Sequence, residues 1–317
     1  MLVLYKRNIN KNKNINKNKI FYILYKMKNI HIESWYGRLG NNIIQVLNAI
    51  LIALYYNYNI ILPQHNYFNT TYIIINEKIT IENEKINSIE NGHFYFWVYI
   101  KNIDTKLFKL YKLNNEKAFE ILKSSFNFTN LKLSNFKNND ILIHMRGGDI
   151  FDNHNPHGLY IMPPLSYYID IIKSIKFDDI MDKPVIYLLS EDRLNPCVNE
   201  LLKLYPQIIY KNQSLDDDIS LILSAHNIIS SFGTFISSLI YISSNIKNLY
   251  EVSYYNDDYA FRNNDYRVFT NINFYTTELT EYQNLLRPWS NTKDQKKIML
   301  DYKCENSFIK NTNINII

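Results

Sequence analysis

The stretch from Asp140 to Val252 constrains the fold most, because short apolar runs alternate there with segments of helical periodicity. Ile141 to Met145, Val185 to Leu189, Gln207 to Tyr210, Asn227 to Ser230 and Asn248 to Val252 read as strands. Pro164 to Ile175, Pro196 to Leu204, Asp216 to Ala225 and Gly233 or Thr234 to Ile242 read as the helices between them. Strands joined by single helices pair in parallel, and a parallel sheet is covered on both faces. An α/β fold follows, with ligands expected outside the carboxyl ends of the strands.

The first half opens in a related way. Asn29 to Glu33 alternates like a strand, Gly37 to Asn42 reads as a turn, Asn42 to Tyr56 as an amphipathic helix, and Asn59 to Leu62 as a second strand ended by Pro63. Residues 66–138 give a strand at Phe94 to Ile100 and a helix near Glu116 to Lys123. The expected domains are 27–138 and 139–317, the second ending in a polar tail that packs back across both. They are preceded by an Asn/Lys-alternating tail, 1–26, of disordered composition. That tail holds seven Lys and Arg and no acid; taking those charges from the net +5 leaves the rest at −2. The basic balance therefore argues against a nucleic-acid face. Met27 is an alternative start, and the apolar patch Ile20 to Leu24 is too short for a signal peptide. No run approaches the roughly 20 apolar residues of a membrane span. The two cysteines, Cys197 and Cys304, form neither a disulfide framework nor a zinc pattern, and a cytoplasmic location is expected.

Glycine is scarce, 7 in 317 residues against roughly 22 at average usage. Five of the seven fall in three segments, each between a strand and a helix. The first is Gly37-Arg38-Leu39-Gly40-Asn41-Asn42, where two glycines bring backbone N–H groups toward a helix start that Asn41 or Asn42 can cap. The second is His144-Met145-Arg146-Gly147-Gly148-Asp149, a cation followed by two glycines at a strand's carboxyl end. Arg146 there suits phosphate oxygens, and Asp149 suits orienting it or taking a proton. The third is Ser230-Ser231-Phe232-Gly233-Thr234, whose hydroxyls and N–H groups suit a phosphate or a plain helix cap.

Taken together and in this order, the three resemble the GDP-fucose-dependent fucosyltransferases, the superfamily of α-1,2-, α-1,6- and protein O-fucosyltransferases. Its first loop, Gly-Arg-x-Gly-Asn-Gln, is matched with Asn42 in the Gln place, and its His-x-Arg-x-Gly-Asp signature by His144, Arg146, Gly148 and Asp149. Its later Ser/Thr-rich turn is matched by Ser230 to Thr234. The resemblance implies a GT-B-like enzyme, two Rossmann-like domains with a cleft between them, and inverting, metal-independent transfer from GDP-fucose to a glycan hydroxyl. It implies that Arg146 binds the diphosphate and that the first loop borders donor and acceptor. The implied donor-binding set is Gly37, Arg38, Gly40, Asn41, His144, Gly147, Gly148, Asp192, Ser230, Ser231, Gly233 and Thr234, with Arg146 and Asp149 as catalytic residues. Where the α-1,2 branch carries aromatics after the third motif, this chain has Ile236 and Ser237 after Phe235, which leaves the linkage open.

The elementary chemistry agrees, since a leaving diphosphate is neutralised by a metal or by cations, here Arg146 with Arg38. Asp216-Asp217-Asp218 follows Ser214 and opens a helix, so it reads as capping rather than metal ligation. No metal site and no cofactor beyond the donor are expected. Candidates for the base that activates the acceptor are Asp149, Asp152, His154 and Glu33, and His154 with His157 lacks further metal ligands. Glu191 and Asp192, just past a strand, suit a base or a ribose, or a solvated loop. Two alternatives keep the fold: another nucleotide sugar as donor, or a non-catalytic nucleotide-sugar-binding protein.

Overall fold

A computed structural model describes residues 29–75, 91–92, 116–152, 156, 158, 160–175, 183–254, 271–304 and 309–311. The basic tail, the expected strand Phe94 to Ile100, His154 and His157 lie outside them. The chain divides into two units, Met1–Thr129 and Asn130–Ile317.

In the first unit β1 (Asn29–Ile32) pairs in parallel with β2 (Asn59–Ile61) and with β4 (Asn91–Gly92). The short β3 (Tyr72–Ile73) lies antiparallel on β2, giving the order β3-β2-β1-β4. Gly92, which no motif explained, is paired with Ile32 at the end of β1. Helix α1 (Leu39–Tyr56) connects β1 to β2 and buries Ile43, Val46, Leu47, Ile50 and Leu54 at three- and four-residue spacing. Each such side chain stabilises the unit by about 1.5–3 kcal/mol, which far outweighs the lack of a side-chain cap on α1. A second helix, α2 (116–125), buries Ala118 and Leu122, and Phe126 beyond it bridges to Phe68.

The second unit contains the regular alternation. Its strands are β5 (Ile141–His144), β6 (Ile186–Leu189), β7 (Ile209–Lys211), β8 (Asn227–Ser230), β9 (Asn248–Ser253), β10 (Asn273–Glu278) and β11 (Ile309–Asn311), in the order β11-β10-β9-β8-β5-β6-β7. All pairings are parallel except β10 with β11. Helices α3 (Leu165–Ser174), α4 (Pro196–Leu204) and α5 (Leu215–Ser224) alternate with β5 to β8, and α6 (Thr234–Leu239) follows β8. Two more, α7 (Thr280–Leu286) and α8 (Lys293–Asp301), lie beyond β10. Helices α3, α4 and α8 pack together, and α5 packs on α6.

Side-chain oxygens start several of these helices. Asn195 accepts the Cys197 N–H ahead of Pro196, and Ser214 accepts the Asp217 N–H at 3.2 Å, with three aspartates in the positive first turn of α5. Residues 130–138, placed by sequence in the first domain, belong to this unit. Lys132 and Ser134 donate their backbone N–H groups to Ser220 and Ser224 on α5, at 3.2 and 2.8 Å.

The expected C-terminal tail is instead β10, α7, α8 and β11, built into the second unit. Its polar composition concealed a set of long-range anchors on the segment after β5. Trp289 Nε1 donates to the Ile150 carbonyl at 2.7 Å, Asn291 Nδ2 to Phe151 at 2.7 Å, and the Tyr282 hydroxyl to Met162 at 2.9 Å. At the opposite end of the sheet, Asn227, Asn248 and Asn273 open β8, β9 and β10 in register. Asn273 Nδ2 donates to Asn248 Oδ1 (2.9 Å), Asn248 Nδ2 to Asn227 Oδ1 (2.7 Å), and Asn227 Nδ2 to the carbonyls of Asn138 and Asp140.

Candidate functional site

From β5 the sheet grows one way through β6 to β7; from β8 it grows the other way through β9 to β10. The chain order thus reverses between β5 and β8, and such a switch point leaves a crevice at the carboxyl ends of the two strands. His144 and Ser230 end these strands directly opposite each other, so the second and third segments leave the sheet side by side. They are bonded together: Ser231 N–H donates to the His144 carbonyl at 3.0 Å, Arg146 N–H to Ser231 Oγ at 3.1 Å, and Ser231 Oγ lies 3.2 Å from His144 Nδ1.

Arg146 is held by its backbone while its fork faces a half-exposed partner. Asn195 Nδ2 donates to its carbonyl at 3.1 Å, and its guanidinium carbon lies 4.6 Å from the centre of the Tyr160 ring. Arg146 Nη2 donates to both oxygens of Asp149, at 3.2 and 3.1 Å, with the two side chains 19% and 50% exposed. An ion pair exposed on one side contributes about 1 kcal/mol or less, so an anion of higher charge density can displace Asp149 from the fork. Gly233 lies close beneath: a Cβ there would sit 3.4 Å from Arg146 Nη1.

The glycine pair is enclosed by acids. Gly148 has φ +55°, in the left-handed region, and its N–H donates to Asp192 Oδ2 at 2.8 Å. The other Asp192 oxygen accepts the Leu194 N–H, also at 2.8 Å. A Cβ on Gly147 would collide with the Asp192 carboxylate and one on Gly148 with that of Glu191. Asp192 therefore serves the loop's own backbone, a task its position past a strand did not reveal.

His144 is half-buried, and the surrounding protein and the Arg146 charge lower its pKa to about 4, burial being the larger cause. Phe235 tilts against its ring with centroids 5.8 Å apart. Ser230 is turned into the sheet, where its hydroxyl donates to the Tyr250 carbonyl and its own carbonyl accepts the Tyr167 hydroxyl. The plain Ser/Thr cap, one of the two readings of this segment, is not made: Gly233 occupies the cap position of α6, with no side-chain bond, and Thr234 is the first helical residue.

The first segment belongs to the first unit. Helix α1 begins at Leu39, earlier than expected, so Gly40 and Asn41 lie in its first turn and Arg38 takes the cap position, exposed and without a side-chain cap bond. Gly37 (φ +69°) makes the turn, its Cα against the Asn41 amide. Asn42 caps nothing; its Nδ2 donates to the Tyr36 carbonyl (3.1 Å) and to Gln45 Oε1 (3.2 Å). Gln45 in turn accepts the Tyr36 N–H and donates to the Ser34 carbonyl, and His65 Nε2 stands 3.3 Å from Asn42 Oδ1. Trp35 stacks on Phe68 beside His65. In the sequence Gln45 is only a polar residue inside the apolar stretch Ile43 to Tyr56, and His65 carries no signal.

Among the proposed bases Asp152 and Glu33 are exposed. Burial, with Asp217 and Glu191 adding to it, pushes the Asp218 carboxyl up to about 7, and its Oδ1 has no hydrogen-bond partner among the described residues. Cys197 is a buried thiol whose pKa is raised by burial, with a smaller push from Glu200. No group of three or more His, Cys, Asp or Glu side chains among the described residues is arranged to hold a metal ion. Ser214 caps α5, with the aspartate run in its first turn. No helix among the described residues is long and apolar enough to cross a membrane. Comparisons with protein-family models, with curated proteins and with solved structures return no match.

Proposed function

We propose that the protein is a nucleotide-sugar-dependent glycosyltransferase, transferring fucose from GDP-fucose to a glycan hydroxyl with inversion and without a metal. The observation that carries this reading is the meeting of His144-Met-Arg-Gly-Gly-Asp149 with Ser230-Ser-Phe-Gly-Thr234 at the switch point between β5 and β8. A diphosphate requires concentrated positive charge and backbone donors; Arg146 supplies the charge there and the start of α6 the donors. Asp149 holds the Arg146 fork until the diphosphate takes it. On this reading the two units are the Rossmann-like domains of a GT-B-like enzyme. The second binds the donor, and the loop of Gly37 and Arg38 in the first borders donor and acceptor, as the resemblance implies.

The test is a thermal-shift panel of GDP, UDP, CDP and their sugars, with and without chelator. Stabilisation by GDP alone, unaffected by chelator, is expected. UDP-only stabilisation moves the donor to another nucleotide sugar, because the phosphate grip is common to them all. Arg146→Ala is expected to weaken GDP binding by about 2–5 kcal/mol, since the diphosphate is left facing an unopposed Asp149. Unchanged GDP affinity in that variant would remove Arg146 from the site.

A further inference from the structure

Ser231 bonds the two motifs to each other, and counting its proton determines what His144 can do. Its hydroxyl oxygen accepts the Arg146 backbone N–H, which can only donate, and lies 3.2 Å from His144 Nδ1. Ser231 is buried, and no other acceptor for its hydroxyl proton is in bonding range among the described residues. If Nδ1 carried the imidazole proton and donated it to Oγ, the serine proton would be stranded inside the protein. A stranded donor disfavours that arrangement by about tenfold or more. With the hydroxyl donating to Nδ1, both groups are satisfied and the ring proton resides on Nε2.

We propose that Ser231 is a positioning residue that fixes His144 as the neutral Nε2–H tautomer, so that His144 enters the site as a hydrogen-bond donor to a ligand oxygen and not as a base. Two observations agree. Nε2 has no protein partner among the described residues, and His144 is only half-buried at the end of β5. Burial and Arg146 also suppress the cation at neutral pH. An uncharged N–H beside a guanidinium suits a phosphoryl or carbonyl oxygen, and it adds direction where Arg146 supplies charge. A ring that donates from Nε2 is no base there, and acceptor deprotonation stays with another residue. The ligand half of this proposal rests on the nucleotide-sugar reading; the tautomer half does not.

The measurement is a long-range proton–nitrogen NMR spectrum of the full chain with 15N-histidine, His144 being assigned by difference from His144→Gln. Between pH 5.5 and 8 the wild-type ring is expected to carry its proton on Nε2. Ser231→Ala is expected to release a population protonated on Nδ1, and Ser231→Thr, which keeps the hydroxyl, to restore the wild-type pattern. A wild-type ring protonated on Nδ1, or a Ser231→Ala ring identical to wild type, overturns the proposal. Added GDP should shift the Nε2–H resonance; GDP that binds without moving it overturns the donor role. GDP that fails to bind at all overturns the nucleotide reading, while the spectrum still decides the role of Ser231.

Discussion

Gly147→Ala places a methyl group where the Asp192 carboxylate lies, and that carboxylate is tied to two backbone donors, Gly148 N–H and Leu194 N–H, each at 2.8 Å. Asp192 cannot yield without stretching or losing these bonds. Hydrogen bonds to a charged group contribute about 1.5–3 kcal/mol each. The Leu194 bond is solvent-exposed and weaker for that reason, so the substitution is expected to cost about 2 kcal/mol. In a unit of this size that lowers Tm by about 4–8 °C. Urea unfolding with an unchanged m-value gives the free energy, and Gly158→Ala is the control. A Cβ at Gly158 would meet nothing closer than 3.6 Å, so that change should stay within about 0.5 kcal/mol. The decisive measurement is the double-mutant cycle. With Asp192→Ala already present there is no carboxylate to displace, and adding Gly147→Ala should cost little. A Gly147→Ala penalty equally large in the Asp192→Ala background would refute the collision as its cause.

Two further outcomes concern other parts of the second unit. Asp218 has its pKa raised to about 7 in the folded chain against 3.8 unfolded, so between these values the native state holds a proton the unfolded state has lost. Stability from this group is full below pH 4 and lost as pH rises toward 7. The stability advantage of Asp218→Asn over wild type should therefore grow from pH 4 to 7 and level off above, and a flat difference would contradict the shift. Trp289→Phe keeps a smaller aromatic ring but leaves the Ile150 carbonyl without its indole donor, which costs about 1–3 kcal/mol in urea unfolding before any cavity is counted; an unchanged midpoint would show that bond to be dispensable.

The elements of the second unit were legible where a turn chemistry bounded an apolar run. Pro196–Leu204 and Asn227–Ser230 stand as read, the first opened by an Asn-Pro start and the second closed by serines. Helix α1 was misread at its beginning because Asn42, a good cap by type, is drawn inward by Gln45 and His65. The sequence put His144, Arg146 and Ser231 at the carboxyl ends of parallel strands; that β5 and β8 are neighbours is set by strand order and was not legible. The supports were not legible: Asp192 reaches back 44 residues to Gly148 and Asn195 reaches 49 to Arg146. A local pattern cannot encode a bond whose other end is set by strand order. The C-terminal elements were missed for a related reason, because their anchors are Trp, Asn and Tyr side chains that bury a ring or stem and spend a polar tip on a distant carbonyl.

The amide chain through Asn227, Asn248 and Asn273 bears on a problem this sequence creates for itself. Its central strands are spelled from few letters, as in ILIH, IYLL and NIIS. A strand buried on both faces has no inside-outside alternation to betray a slip, and sliding one such word past another leaves apolar against apolar. In a limited alphabet many alignments look alike. Three asparagines at the same place on adjacent strands work as a check digit: only the native offset lets each amide find the next, and any other gives these bonds up. Because β8 also carries Ser230 to its place opposite His144, an address written at one end of the sheet is read out at the other.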